Sequence, residues 1–134
     1  MSRTVNAVAP TRVCDLGGWT DTWFAGHGSV LNIATYPYVE VQIRVEEKQD
    51  PDQLVVIHAE NFDDTYSVNP ADITYDKHPM IEAAIDLMKV SSDRSYHINI
   101  FSEAPPGASM GTSAAVSVAL VGGLSRLSES NLTP

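Results

Sequence analysis

Apolar and polar residues alternate without a break from Tyr38 to Glu46. Val39, Val41, Ile43 and Val45 fall on one side, and Glu40, Gln42, Arg44 and Glu46 on the other. A period of two predicts a half-exposed β-strand of the kind found in antiparallel sheets. Upstream, residues 4–13 read as extended, with Pro10 arguing against a central strand because proline cannot donate to a ladder. Downstream, residues 48–53 read as a turn, and residues 54–58 and 62–68 as two short strands joined through Glu60-Asn61. Pro79 marks the first position of a helix. Met80, Ile81, Ala84, Ile85 and Met88 form its apolar stripe, Glu82, Asp86 and Lys89 face away, and Ser91-Ser92-Asp93 ends it. Residues 96–102 form another strand, with Ile98 and Ile100 on one side. Residues 114–127 then read as a helix that is apolar nearly all round, expected to be buried on several sides, with Gly122-Gly123 marking close backbone approach.

Two stretches break this periodicity. Residues 14–29, CDLGGWTDTWFAGHGS, carry two glycine clusters and require a structured loop. Residues 103–115, EAPPGASMGTSAA, lead from a strand into the last helix. Thr133-Pro134 pairs an N-cap residue with a proline at the first helical position, a helix start with no helix after it. The chain therefore reads as one domain of a longer protein.

Charge narrows the partners. The chain has 17 acidic against 8 basic side chains, a formal net charge of -9. No Lys/Arg cluster offers a footprint for nucleic acid or an anionic membrane. Phosphate would instead be held by backbone N–H groups and a metal ion. Cys14 is the single cysteine, reads as a buried strand residue rather than a nucleophile, and fits a reducing compartment; no signal sequence or run of roughly 20 apolar residues is present, so the reading is cytoplasmic. His27, His58, His78 and His97 lack ligand spacing for zinc.

The candidate chemistry lies in Pro105-Pro106-Gly107-Ala108-Ser109-Met110-Gly111-Thr112-Ser113-Ala114-Ala115. A helix start presents unpaired N–H groups and the positive end of the helix dipole to an anion. Gly107 and Gly111 let the backbone curl around it, and the hydroxyls of Thr112 and Ser113 suit a phosphate oxygen or Mg²⁺. Neither the Walker A pattern nor the G-x-G-x-x-G fingerprint is present. Read from the residues alone, a plain strand-to-helix turn with Ser/Thr capping remains open.

This stretch resembles the second motif of the GHMP kinases (galacto-, homoserine, mevalonate and phosphomevalonate kinases), P-P-G-x-G-L-G-S-S-A. Pro105, Pro106, Gly107, Gly111, Ser113 and Ala114 match directly; Met110 replaces Leu, Thr112 the first Ser, and Ser109 a usual Gly. The resemblance implies that Pro106, Gly107, Ala108, Ser109, Met110, Gly111, Thr112 and Ser113 wrap ATP phosphates, with Ser113 and then Thr112 on the Mg²⁺ side. The family's first motif, P-x-R-[IV]-x-L-x-G-[EG]-x-T-D, is similar to Pro10 through Thr22 here. The GGWTDT version looks most like the fucokinase and heptose-phosphate kinase branch; galactokinases usually carry Glu-His at Gly18-Trp19. Gly18, Trp19, Thr20 and Asp21 are thereby expected on the substrate side, and Arg12 in a catalytic role. A carboxylate such as Asp21 can orient a sugar by accepting two hydroxyl hydrogen bonds, Trp19 can face a sugar ring, and Arg12 can stabilise the transferring phosphoryl group. By their residues alone, Asp21 as a turn cap, Trp19 as core, and Arg12 paired with Asp15 stay open.

The resemblance implies an α+β fold similar to the second domain of ribosomal protein S5, with a mixed or antiparallel sheet packed with helices. A ferredoxin-like C-terminal domain would lie beyond residues 1–134. It also implies ATP-dependent phosphorylation of a hydroxyl, with a sugar as acceptor and a sugar 1-phosphate as product. The missing half leads to two further expectations: weak nucleotide binding without turnover, and apolar surface prone to self-association. Rival readings are a non-catalytic sugar- or nucleotide-binding relative, a kinase for a non-sugar alcohol, and an S5-like nucleic-acid module. The charge opposes the last.

Overall fold

The structure is a computed structural model and describes residues 2–20, 22–48, 50, 54–105 and 107–128. Five strands form one sheet in the order β1-β2-β5-β3-β4: β1 (Arg3–Leu16), β2 (Leu31–Glu47), β3 (Val55–Ala59), β4 (Asp64–Val68) and β5 (Arg94–Ser102). Among these, only the β3–β5 pairing is parallel. A short 3-10 turn, Glu60–Phe62, joins β3 to β4, so Phe62 belongs to the connection rather than to the strand. Helices α1 (Pro79–Leu87) and α2 (Thr112–Leu127) pack on each other, and α2 lies across β1 and β2.

The alternation in β2 has the expected cause. Val39, Val41 and Ile43 are buried beneath the helices, whereas Glu40, Gln42 and Arg44 lie on the uncovered face. Burying apolar side chains of this size stabilises by about 1.5–3 kcal/mol each. β2 begins well before Tyr38, and its first part pairs with the end of β1 to form a two-stranded ribbon. Pro10 sits in the edge strand β1, where its missing N–H costs no central ladder bond. The register shifts immediately after it, and the buried Thr11 donates its hydroxyl to Pro37 O at 2.8 Å.

Several expectations need correction. Glu82 does not face solvent: it is 3% exposed and accepts the backbone N–H groups of Lys77 (3.1 Å) and His78 (2.8 Å), tying down the entry to α1. The helix ends at Leu87, with Met88 as its C-cap and Lys89 in a left-handed conformation, before Ser91-Ser92-Asp93 is reached. Helix α2 is buried along one face, through Ala115, Ala119, Leu120, Gly123 and Leu124, while Val118 and Gly122 are exposed. Close approach is confined to Gly123, where a Cβ would come 2.8 Å from Ile43 Cδ1. Cys14 lies in β1 but is exposed. Thr133-Pro134 lies outside the described residues.

Candidate functional site

The two motif stretches meet at one end of the sheet. Strand β5 delivers the chain into residues 103–111, which return it to the N-terminus of α2. Arg12 of β1 donates its backbone N–H to Met110 O at 2.9 Å, joining the edge strand directly to the loop. Its side chain lies against Gly111, where a Cβ would be 2.9 Å from Arg12 Nε and 3.0 Å from Cγ. Gly111, at φ +68°, is the N-cap of α2. Glycine alone meets both demands without strain. Ser109 also adopts a left-handed conformation, at φ +55°, which explains why glycine suits this place in the related motif.

No side chain caps α2, and its first helical bond runs from Ala115 N–H to Gly111 O at 3.0 Å. The preceding N–H groups are left for a ligand or water, and an anion is the group this end of a helix dipole favours. The entry to the loop is also fixed. Asn61 donates to Ser102 O at 2.6 Å and accepts Ser102 N–H at 2.7 Å, so its amide extends the β5 ladder by side chain. Tyr36, at the base of the β1–β2 ribbon, donates its phenol to Glu103.

Two cavities open on either side of the loop, and Gly107, Thr112 and Ser113 line both. One, about 280 Å³, is mainly apolar and is walled by Phe62, Pro79, Met80, Ile81, Ile100 and Val116, with Asn61 and His78 as polar members. His78 has Phe62 and Tyr66 as ring neighbours, each with its centroid 5.5 Å away. The other, about 470 Å³, is lined by Arg12, Cys14, Gly18, Trp19, Val30 and every residue from Gly107 to Ser113. Arg12 is its one charged lining residue among the described residues.

Gly18, Trp19 and Val30 border the second cavity, and the described residues around them bond to one another. A Cβ on Gly17 would fall 1.9 Å from Ser29 O, so the loop's two ends meet at that glycine. Thr20 donates its hydroxyl to Gly17 O at 2.6 Å and packs against Gly28, and Thr22 donates its hydroxyl to Trp19 O. Of the candidate residues, the structure therefore brings together Arg12, Gly18, Trp19, Gly107, Ala108, Ser109, Met110, Gly111, Thr112 and Ser113. Thr20 instead holds the loop and does not line the cavity. Asp21 and Pro106 lie outside the described residues. Phe62, His78 and the apolar cavity went unread in the sequence, because their positions, spread over three elements, share no spacing.

Mg²⁺ would find hard oxygen donors here in the Thr112 and Ser113 hydroxyls, which fit one or two of its six positions. Among the described residues, no group of three or more His, Cys, Asp or Glu side chains is placed to hold a metal ion. Likewise, no helix among them is long and apolar enough to cross a membrane.

No curated protein matches the chain. Residues 79–134 match the family model described as GHMP kinases N terminal domain. Among solved structures, mevalonate kinase of Methanococcus jannaschii aligns over 98% of this chain and 42% of its own, at 15% identity and a TM-score of 0.71. A D-glycero-D-manno-heptose 1-phosphate kinase from Bacteriodes thetaiotaomicron aligns over 94% and 46%, at 19% identity and a TM-score of 0.66. Mevalonate diphosphate decarboxylase from Staphylococcus aureus aligns over 99% and 38%, at 15% identity and a TM-score of 0.67. The chain thus spans less than half the length of the solved proteins it resembles. Residues 79–134 thus match the GHMP kinase N-terminal model, and nearly the whole chain shares the fold of these solved proteins.

Proposed function

We propose that this chain forms the ATP-phosphate side and part of the acceptor side of a small-molecule kinase. The observation that carries the reading is the uncapped N-terminus of α2, flanked by two cavities that share Gly107, Thr112 and Ser113. The triphosphate would lie along the loop, taken by its N–H groups, with the nucleoside in the apolar cavity beside Phe62 and His78. Transfer would then occur toward the cavity of Arg12 and Trp19. Phosphoryl transfer asks the protein chiefly to position reactants and offset charge. Arg12, fixed to the loop by its own backbone, suits the second task. When bound, Mg²⁺ supplies further charge neutralisation, with Ser113 and Thr112 the side chains placed to hold it.

The acceptor is read as a sugar, with Trp19 and Asp21 on the substrate side and a sugar 1-phosphate as product. The GGWTDT sequence supports this, as does the likeness to a protein titled a heptose 1-phosphate kinase. A cytoplasmic protein using ATP and Mg²⁺ completes the reading. Because the solved relatives are more than twice as long, turnover belongs to a longer chain carrying a second, C-terminal domain, and these 134 residues bind nucleotide weakly without turnover. Calorimetric titration with an Mg²⁺–ATP analogue tests the first half, with millimolar to high-micromolar binding expected. Absence of binding would overturn the kinase reading. Radiolabel transfer from γ-labelled ATP to a panel of free sugars, by the longest product of the gene, tests the second; label on mevalonate or homoserine instead would overturn the sugar.

A further inference from the structure

The loop that borders the Arg12 cavity carries three exposed aromatic rings, with Phe24 neighbouring both tryptophans. Trp19, which lines the cavity, is 74% exposed, Phe24 61% and Trp23 92%. The rings are not scattered. Trp19 and Phe24 have centroids 6.4 Å apart, and Phe24 meets Trp23 edge-on at 5.7 Å. The backbone beneath them is held by Thr20, Thr22 and Gly17, so the rings stay out of the core because the loop's own bonds keep them there. Trp19 reaches this position through a left-handed backbone, φ +74°, which costs a non-glycine residue stability and needs a return elsewhere.

Resting on the kinase reading, we infer that Trp19, Phe24 and Trp23 form an aromatic platform for the ring face of a carbohydrate acceptor, extending the acceptor site beyond the cavity to the outer side of the loop. The chemistry is complementary. A pyranose has a flat face of C–H bonds, and their weakly positive hydrogens suit the negative face of an aromatic ring. Its hydroxyls lie around the rim, where Arg12 and the hydroxyls of residues 109–113 stand across the cavity. Removing both apolar faces from water adds to the attraction. An acyclic alcohol acceptor offers no such face, so the platform separates a sugar from the straight-chain acceptors that a shared fold would also admit. Trp23, the outermost ring, lies beyond the cavity lining and so suits a second saccharide unit or a substituent on the first.

The chain contains two tryptophans, Trp19 and Trp23, so its tryptophan fluorescence reports on this loop alone. Titrating the chain, loaded with an ATP analogue, with hexoses, a disaccharide and glycerol should give a saturable change with the sugars and none with glycerol. Trp23→Ala should weaken disaccharide binding by roughly tenfold, the size expected when one stacking contact is lost. The same substitution should leave nucleotide affinity unchanged. Trp23→Phe should restore most of the loss, which an effect on folding alone would not show. If nucleotide binds but no sugar alters the fluorescence, the platform is overturned and the kinase reading stands; if neither binds, both fall. If sedimentation instead shows a dimer that Trp23→Ala dissolves, with sugar affinity unchanged, the rings serve a copy of the chain and the inference is overturned.

Discussion

At Gly111 two constraints converge on one residue. Its φ of +68° places it where an L side chain is strained, and Arg12 fills the space a Cβ would take. Gly111→Ala should lower stability by about 1–2 kcal/mol from the backbone alone, read as a lower denaturant midpoint. It should also weaken nucleotide binding, because the Arg12 side chain must move. Ser109 presents the reverse case: Ser109→Gly removes a left-handed serine and should raise stability by up to ~1 kcal/mol, less the chain entropy that glycine brings. Measuring the pair in one denaturation series checks both signs. Tyr66 offers a third case, since its buried hydroxyl has no partner among the described residues. Burial first, then the charges of Glu82 and Asp64, raises its pKa above the ordinary tyrosine value. The stability that the neutral phenol carries is thus complete below the unfolded value of about 10 and falls as pH rises past it. Tyr66→Phe should be neutral or stabilising at pH 7 and should flatten the alkaline limb of a pH–stability curve. A loss above about 1 kcal/mol at pH 7 would show that the hydroxyl is satisfied after all.

Elements show where periodicity informs and where it fails. The Val39–Val45 alternation predicts β2 because one covered face is what creates the alternation. Glu82 escapes the same logic. A carboxylate at helical spacing reads as solvent-facing, yet this one is buried because it satisfies two N–H groups at the entry to α1 that proline at N1 cannot help. Glu82→Ala should therefore cost about 1–3 kcal/mol in a thermal or chemical melt, more than a surface substitution allows. Helix α2 misleads in the opposite direction, since Val118 and Gly122 make it look apolar all round while it buries one face. The loop before it was legible by residue type, because its glycines and hydroxyls are adjacent in sequence. The apolar cavity was not, because Phe62, Pro79 and Ile100 come together only through folding. Trp23 and Phe24 were overlooked although a signal existed: both tryptophans of the chain fall in one glycine-bounded loop.

Across the whole molecule, both helices cover the same face of the sheet, and large apolar residues remain exposed at the loop end, among them Leu16, Leu31, Ile33 and Tyr36. Surface of this kind in a monomer marks contact with something else. Concentration-dependent sedimentation of the isolated chain is the expected result, and a monomer at every concentration would argue that the exposed ribbon is tolerated alone. The order of strands adds a less obvious consequence. β1 and β2 form one contiguous hairpin, joined to the rest by the β2–β5 ladder and by α2, while everything from β3 onward supplies the other wall of the site. The bond from Arg12 to Met110 crosses that divide, as does the packing of Arg12 on Gly111. The site is therefore a seam between two contiguous stretches of polypeptide rather than a possession of either. Cut between β2 and β3, the halves would be silent apart and recover ligand binding only on reunion, which makes this small fold a natural candidate for a split reporter of molecular proximity.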